Sequence, residues 1–496
     1  MDYATLIPQV REFCAARGVP GYLVGGCVRD GLLGRPRADL DLAVEGDALA
    51  LARALADTLG GAYVPLHEVH RIARVVLPGA ANRRALVLDV VEAAQGILAD
   101  LRRRDFTVNA LAVPLDALPE DGDWQAAPVL DVTGGRSDLV ARVLRAVSAQ
   151  VFQDDPLRLL RAVRLAAELG FTIAAETRSL IARDAALLSH VAGERVHEEL
   201  CRIFAAHGTA HAIRLMDGLG LLEALLPEVC AGKGVAQPKE HHWDVFNHNV
   251  ETVAYLEAIL DRDGERTGLP DDPLDLVPWV PEVGAYFQQE IGGQRRATLL
   301  KLAGLLHDVA KPQTKGPDAT GRIRFLGHAD LGAQLCAGIL TRLRFGSKEI
   351  QAVCTMVQYH LRPGQISSDR QIPTDRAVYR YFRDVGDVAL DTIYLNLADH
   401  LAARGPGLFW EEWQAHTAVV AHVLDRSLSE QRVVAPPKLV TGHEIMTRFG
   451  IGPGPRVGRM LEAVREAQAV GDVTTQEQAL IYLERWLQVD HTQAPS

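Results

Sequence analysis

The pattern of apolar and polar positions changes character once along the chain. Before Asp154 it includes short runs with the two-residue period of strands, punctuated by glycine. Residues 21–30 (GYLVGGCVRD) read as a short strand, a glycine turn and the start of a helix. Three more strands are expected over 39–46 (DLDLAVEG), 71–78 (RIARVVLP) and 84–93 (RALVLDVVEA). From Asp154 onward the period lengthens to that of amphipathic helices, as in PLRLLRAVRLAAELG and GERVHEELCRIFAAHG. Gly- or Pro-containing breaks fall at 231–240, 262–295, 404–407 and 450–455. The pattern predicts an α+β chain: a mixed-sheet head with helices over 1–147, then an all-α remainder. That remainder divides into a neck over 148–232, a helical domain over 238–402 and a helical tail over 403–496.

Composition narrows this picture. The length of 496 residues suffices for several cores, and 48% hydrophobic with 23% charged residues excludes long disorder and fibrous architecture. No run of 18 apolar residues exists, so no membrane-spanning helix is expected. The first residues, MDYATLIPQVREFCAARG, mix acid and base in an amphipathic pattern unlike a leader segment, and a cytoplasmic protein is expected. Six cysteines (Cys14, Cys27, Cys201, Cys230, Cys336, Cys354) show no CxxC spacing, which predicts reduced, mostly buried thiols and no thiolate zinc site.

The net charge of −11 announces no polyanionic partner globally. One local exception runs from Arg342 to Arg383, where Arg342, Arg344, Lys348, Arg362, Arg370, Arg376, Arg380 and Arg383 meet only Glu349, Asp369 and Asp375. Tyr359, Tyr379, Tyr381 and Phe382 are interleaved. Two readings stand: a basic surface with bases stacked on its aromatics, or a solvated helical face with core aromatics.

The first chemical constellation lies in residues 24–41. Gly25 and Gly26 let backbone approach a phosphate, and Arg29 offers a charge-assisted contact. Asp39 and Asp41, two apart on a strand, project together, and two adjacent carboxylates call for a hard cation such as Mg²⁺. The stretch LVGGCVRDGLLGRPRADLDLAV resembles the start of the class II tRNA nucleotidyltransferase and bacterial poly(A) polymerase family, whose heads are related to DNA polymerase beta. DLRRRDFTVNALAV (100–113), LDVTGGRSDLVARVLRAV (130–147), QDDPLRLLRAVRLAAELGF (153–171) and GERVHEELCRIF (193–204) continue the match in order. The resemblance implies a polymerase-beta-like head in which Asp39 and Asp41 are catalytic and hold Mg²⁺. It further implies nucleotide contacts from Gly26, Arg29 and Arg104, with Asp105 and Asn109 orienting sugar or backbone. Without that motif, Arg102, Arg103 and Arg104 read as a solvated turn. Asp89 is the candidate for a third carboxylate, which the motif does not fix.

In the neck, Asp155 followed by Pro156 reads as a helix cap with proline at the first helical position, and Arg158, Arg161 and Arg164 recur every third residue as a basic stripe. A carboxylate beside a guanidinium pairs with an amino donor beside a ring-nitrogen acceptor, the edge common to cytosine and adenine. Asp155 with Arg158 is therefore expected to accept CTP and ATP and to reject UTP and GTP. The resemblance places Arg161 and Arg164 in the same nucleotide-binding set. One departure from the family pattern is Asp154, where Glu is common.

A second constellation follows: His248, the adjacent pair His307-Asp308 inside the apolar KLAGLLHDVAKP, then His328, His360 and Asp399. This H…HD…H…H…D order resembles HD-superfamily metal-dependent phosphohydrolases. The ligand types suit Mn²⁺, Ni²⁺, Co²⁺ or Fe²⁺. His248, His307, Asp308 and Asp399 form the core set, and His328 and His360 supply a second metal position. His241, His242 and His400 are read as structural.

Together these features predict an enzyme that builds some or all of the tRNA 3′-terminal CCA from CTP and/or ATP without a template, releasing pyrophosphate. The attached hydrolase is expected to act on 2′,3′-cyclic phosphate or 3′-phosphate ends. A poly(A) polymerase is the runner-up, against which the ending QVDHTQAPS is not the basic tail expected. Other readings are an RNA-binding protein with a decayed head and an HD phosphohydrolase of small nucleotides. The motifs leave open CCA, CC or A addition, the oligomeric state, and the role of residues 430–496.

Overall fold

The computed structural model of the chain describes residues 3–35, 40–78, 85–119, 124, 126–238, 240–261, 272–366, 372–429 and 436–490. It contains two compact units, one of residues 1–191 with 215–225 and one of residues 192–214 with 226–496. Among the described residues no helix is long and apolar enough to cross a membrane. Of the six free cysteines, five are buried and Cys354 is half-buried.

In the first unit a seven-stranded sheet is built from β1 (Gly21–Val24), β2 (Leu40–Val44), β3 (Ala62–His67), β4 (Ile72–Leu77), β5 (Leu86–Glu92), β6 (Leu111–Pro114) and β7 (Leu130–Asp131). Its order is β3-β4-β5-β2-β1-β6-β7. β1 is antiparallel to both neighbours, whereas β2 and β5 run parallel, with Asp41 beside Asp89. Alternation sends Leu40, Leu42, Leu88, Val90, Ala73 and Val75 into the core. Asp41, Asp89 and Arg74 are left at one level of the opposite face, because Arg74 is also in register with Asp89. The Ala48–Leu59 helix packs on β3, β4 and β5; Asp47 caps it by accepting from the Ala50 amide at 2.9 Å.

The expected strands all appear, and β3, β6 and β7 are additional. The neck helix begins later than expected. Asp155 is extended (φ −149°), and the first turn is tightened by amide bonds from Arg158 to the Asp155 carbonyl and from Leu159 to the Pro156 carbonyl. Regular helix then spans Arg158–Leu169, although Asp155 Oδ1 still accepts from the Leu157 amide at 3.2 Å.

Among its described residues the second unit is helical apart from two short hairpins, 290–295 and 315–325. Its centre is the Arg296–Leu306 helix, in which every residue except Ala297 is buried, as expected for a helix surrounded by others. The Val245–Leu260, Ser347–Tyr359 and Ala389–Arg404 helices pack against it. A separate small core, including Ile445, Met460, Val464 and Leu483, joins the helices Gly442–Phe449, Pro455–Ala469 and Gln476–Asp490. The ending at 491–496 lies outside the described residues.

The basic stretch takes the second of its two readings. Tyr379 and Tyr381 are core residues at 3% and 1% exposure. Arg376 and Arg380 pair with Glu466, Arg383 with Glu462 and Asp384, Arg362 with Asp384, Arg342 with Glu228, and Arg344 with Glu194. Asp369 and Arg370 lie outside the described residues.

Candidate active sites

In the head, the turn between β1 and the Gly26–Leu32 helix requires glycine. Gly25 has φ +72°, and a Cβ there would fall 2.7 Å from Arg104 Nη1 and 3.3 Å from Asp41 Oδ2. Arg104 and Asp41 thus converge on the glycine turn. Arg104 is steadied by Asp100 one helical turn earlier, at 2.9 Å, whereas Arg102 and Arg103 are exposed. Gly26 opens the helix, and a Cβ there would meet nothing closer than 3.6 Å. Asp39, the other carboxylate of the expected metal pair, lies outside the described residues. Both Asp89 oxygens accept from Arg74, at 2.7 and 2.8 Å.

A hydrogen-bonded chain joins the three sequence motifs. Arg29 is 8% exposed; its Nε and Nη2 donate to the Asp30 carboxylate, and Nη1 donates to Asn109 Oδ1 at 2.7 Å. Asn109 Nδ2 donates in turn to Asp105 Oδ1 at 3.1 Å, and Asp105 Oδ2 pairs with Arg161 Nε at 2.6 Å. Burial raises the Asp105 pKa, but Arg161, the Phe106 amide, Asn109 and Arg158 outweigh it and hold the carboxyl below its ordinary range. Arg158 donates to the carbonyls of Arg103, at 3.2 Å, and Val151, at 3.4 Å. The basic stripe divides. Arg158 and Arg161 reach toward the RRDF turn, whereas Arg164, 6% exposed, turns inward and pairs with Glu168 at 2.7 Å. A three-residue repeat drifts around a 3.6-residue helix, and that drift carries Arg164 to the inner side.

In the second unit the predicted metal ligands converge from five helices or their ends, with Asp308 on the turn after His307. Asp244 caps the Val245–Leu260 helix that carries His248, accepting from the Asn247 amide at 2.7 Å. His307 and His360 stand at the C-terminal ends of their helices, His328 opens the His328–Arg342 helix, and Asp399 projects from Ala389–Arg404. His248 Nε2 lies 3.0 Å from Asp399 Oδ1, 3.2 Å from His307 Nε2 and 3.4 Å from Asp308 Oδ2. On the other side of Asp308, Oδ1 lies 3.4 Å from His328 Nε2 and 3.7 Å from His360 Nε2. Two groups able to hold a metal therefore share one carboxylate: His248, His307 and Asp308, and Asp308, His328 and His360.

The rings are aimed by the main chain. His307 Nδ1 donates to the Gly304 carbonyl at 2.8 Å, His328 Nδ1 to Phe325 at 2.6 Å, and His360 Nδ1 to Val357 at 2.6 Å. This turns each Nε2 toward the cluster, where it can coordinate an ion on losing its proton. The pocket demands positive charge: burial disfavours His307 protonation, yet Asp308 and Asp399 push its pKa up to about 10. Burial raises the Asp308 pKa, but Lys311 and His307 hold it well below the usual carboxylate range. His360 goes the other way, down to about 4, through burial and the neighbouring His307. Buried carboxylate and imidazole groups with inward lone pairs fit a divalent transition ion. Lys311, absent from the sequence-based set, places Nζ 2.5 Å from Asp308 Oδ2; its spacing of three residues from Asp308 was the available signal. His241, read as structural, packs its ring 5.4 Å from that of His248.

A glycine turn, a carboxylate on the neighbouring strand and a basic turn brought together on a mixed sheet define a nucleotidyltransferase head. Residues 21–145 match the poly A polymerase head domain, 170–232 the probable RNA and SrmB-binding site of polymerase A, and 245–404 the HD domain. The chain is 36% identical over 472 residues to the A-adding tRNA nucleotidyltransferase of Deinococcus radiodurans, covering 94% of this chain and 95% of that one. It is 34% identical over 470 residues to the CC-adding tRNA nucleotidyltransferase of Thermus thermophilus, covering 93% of each. Its fold is that of CCA-adding enzymes. An apo form superposes with TM-score 0.63 at 23% identity over 97% of this chain and 93% of the other. The Thermotoga maritima enzyme complexed with tRNA gives 0.60 at 23% over 98% and 96%. The chain belongs to the tRNA nucleotidyltransferase family and is an enzyme of that class with an HD domain.

Proposed function

We propose that the head transfers nucleotides from CTP and/or ATP to the 3′ end of tRNA, building some or all of the terminal CCA. The observation that carries this reading is the chain Asp30–Arg29–Asn109–Asp105–Arg161, which ties the glycine-turn, RRDF and neck motifs into one largely buried polar network. Asp39 and Asp41 would hold Mg²⁺, with Asp89 beside Asp41 as a third carboxylate. Bound there, Mg²⁺ neutralises the triphosphate and favours loss of pyrophosphate. The RNA 3′-oxygen forms the new bond to the α-phosphorus while the bond to pyrophosphate breaks. Gly26 and Arg29 bind phosphates, and Arg104 stands over the turn. Asp155 and Arg158 read the base edge, with Arg161 fixing the helix that carries them to the RRDF turn. Arg164 serves from inside, by holding the helix. The neck, residues 148–232, selects the nucleotide and binds RNA, and a tRNA substrate fits a cytoplasmic enzyme. The test is incubation of tRNA lacking CCA with each labelled triphosphate. Incorporation of C, A or both in one to three steps supports the reading, whereas long A tracts would favour a poly(A) polymerase.

A second activity is favoured by the shared carboxylate of Asp308. We infer that the HD domain hydrolyses phosphoesters, with 2′,3′-cyclic phosphate or 3′-phosphate RNA ends as substrates. His248, His307, Asp308 and Asp399 would hold one ion and His328 and His360, with Asp308, a second; Mn²⁺, Ni²⁺, Co²⁺ and Fe²⁺ suit the ligands. Such an ion supplies water activation at neutral pH. Release of inorganic phosphate or opening of 2′,3′-cyclic AMP with each metal is the assay.

A further inference from the structure

Beside the HD ligands lies a cavity of about 380 Å³, within the range of about 300–1,000 Å³ typical of small-molecule sites. Asn396 and Asp399 line it from the Ala389–Arg404 helix, His416 from the Trp410–Ser429 helix, and His241 from the segment before His248. Leu361 and Val419 give it an apolar wall. Asp399 also belongs to the ligand cluster, so a molecule filling the cavity touches the metal-binding residues.

Three residues of this lining each hold a buried polar atom without a hydrogen-bond partner among the described residues: Asn396 Oδ1, His241 Nδ1 and His416 Nε2. Asn396 is 7% exposed and is fixed by donating Nδ2 to the His360 carbonyl at 3.0 Å. The His416 ring stacks on His400 at 4.9 Å and 15°, and His400 stacks on Trp413 at 5.5 Å and 24°, so its position is set before anything binds. A buried polar atom left unpaired costs about 1–3 kcal/mol, and nearly all such atoms in folded proteins are paired. Three on one lining are the complement of a polar ligand, and the apolar wall gives that ligand a flat face to rest on.

We propose that this cavity is the nucleoside subsite of the HD centre: it takes the ribose and base of a ribonucleotide whose phosphate reaches Asp308 and Asp399. Ribose hydroxyls donate to Asn396 Oδ1 and exchange hydrogen bonds with His241 and His416, while the base lies along Leu361 and Val419. Asn396 and His416 are thereby specificity-determining residues, beyond the metal ligands themselves. The inference rests on the phosphohydrolase reading of this centre and names the groups that choose its substrate.

Calorimetric titration of the Mn²⁺-loaded full chain with 3′-AMP tests it, with inorganic phosphate as the probe of the ligand cluster alone. Because the head also takes nucleotides, the binding component absent from Asp308→Ala is the one assigned to the HD centre. Asn396→Leu and His416→Phe should each weaken that component about tenfold, the worth of a hydrogen bond or two, and leave phosphate affinity and bound Mn²⁺ unchanged. His416→Phe preserves the ring stack and so guards against a folding defect. Unaltered 3′-AMP affinity in both variants, or equal weakening of 3′-AMP and phosphate, overturns the subsite. Selective weakening in a chain that hydrolyses no phosphoester would instead defeat the phosphohydrolase reading and leave the subsite standing.

Discussion

The head and the HD centre both assemble carboxylates and bases, but they balance charge by opposite means. In the head, charges pair laterally across a partly open surface: Arg29 with Asp30, Arg74 with Asp89, Arg104 with Asp100 and Arg161 with Asp105. In the HD centre His248, His307, Asp308 and His360 are at most 1% exposed, and the negative charge is met by imidazoles and Lys311. Guanidiniums stay charged at any physiological pH and present several donors, which suits a surface visited by phosphates. Imidazoles keep a lone pair, which suits a cage for an ion. The difference teaches that one chain separates a surface of fixed positive charges from a buried cage of ion-ligating groups by choice of base.

The largest effect that separates the two is expected from Asp41→Ala. It should lower nucleotide addition by at least about a thousandfold while phosphoester hydrolysis persists, since removing a metal-holding carboxylate forfeits several kcal/mol of transition-state stabilisation. Parallel assays on one preparation check both activities. Asp308→Ala should act conversely, abolishing hydrolysis and bound transition metal while sparing addition. Because Asp308 serves both ligand groups, its loss should exceed that of His328→Ala in metal analysis. Arg158→Ala should shift nucleotide choice more modestly, about ten- to hundredfold, by letting UTP or GTP compete; single-turnover assays with each triphosphate would show no change if the neck helix does not read bases.

The smallest effect concerns pH. Burial, reinforced by the neighbouring His400, holds His416 near 4 in the fold, below the 6.5 of an unperturbed imidazole. The unfolded chain therefore takes up the proton first as pH falls. The contribution is intact above 6.5 and is lost between 6.5 and 4. Urea midpoints for His416→Phe should accordingly fall less steeply with acid than those of the parent, by roughly one proton.

Much of this was legible in the sequence for physical reasons. β1, β2, β4 and β5 show themselves because their apolar residues recur with the sheet's period, and the HD ligands because His307-Asp308 stands within the apolar run LAGLLHDVA, just past the end of a buried helix. β3 stayed hidden because most of its residues are exposed and it is bulged between Pro65 and His67. β6 stayed hidden because Leu111, Ala112 and Val113 are all buried, leaving no alternation to detect. The three-residue spacing of the neck arginines says that they drift around the helix but not which of them turns inward, and the fold buries Arg164 and leaves Arg161 exposed. Asn396 and His416 carried no motif, since their significance arises only where two helices face each other across the cavity.

The main-chain anchoring of three HD histidines has a consequence for how this centre tolerates change. Every residue type offers a carbonyl, so replacing the side chain at positions 325 or 357 leaves the acceptor for His328 or His360 in place, whereas Gly304, the acceptor for His307, has no room for a side chain, since a Cβ there would fall 2.7 Å from Leu256 Cδ1. The orientation of these rings is inherited from the backbone path, so a substitution that keeps this path leaves them aimed, and Gly304, Phe325 and Val357 are constrained by packing rather than by the hydrogen bonds they accept. His248 is the exception, because its Nδ1 is buried without such a partner among the described residues. Its aim depends on packing, and it is the ligand through which neighbouring substitutions can loosen the centre.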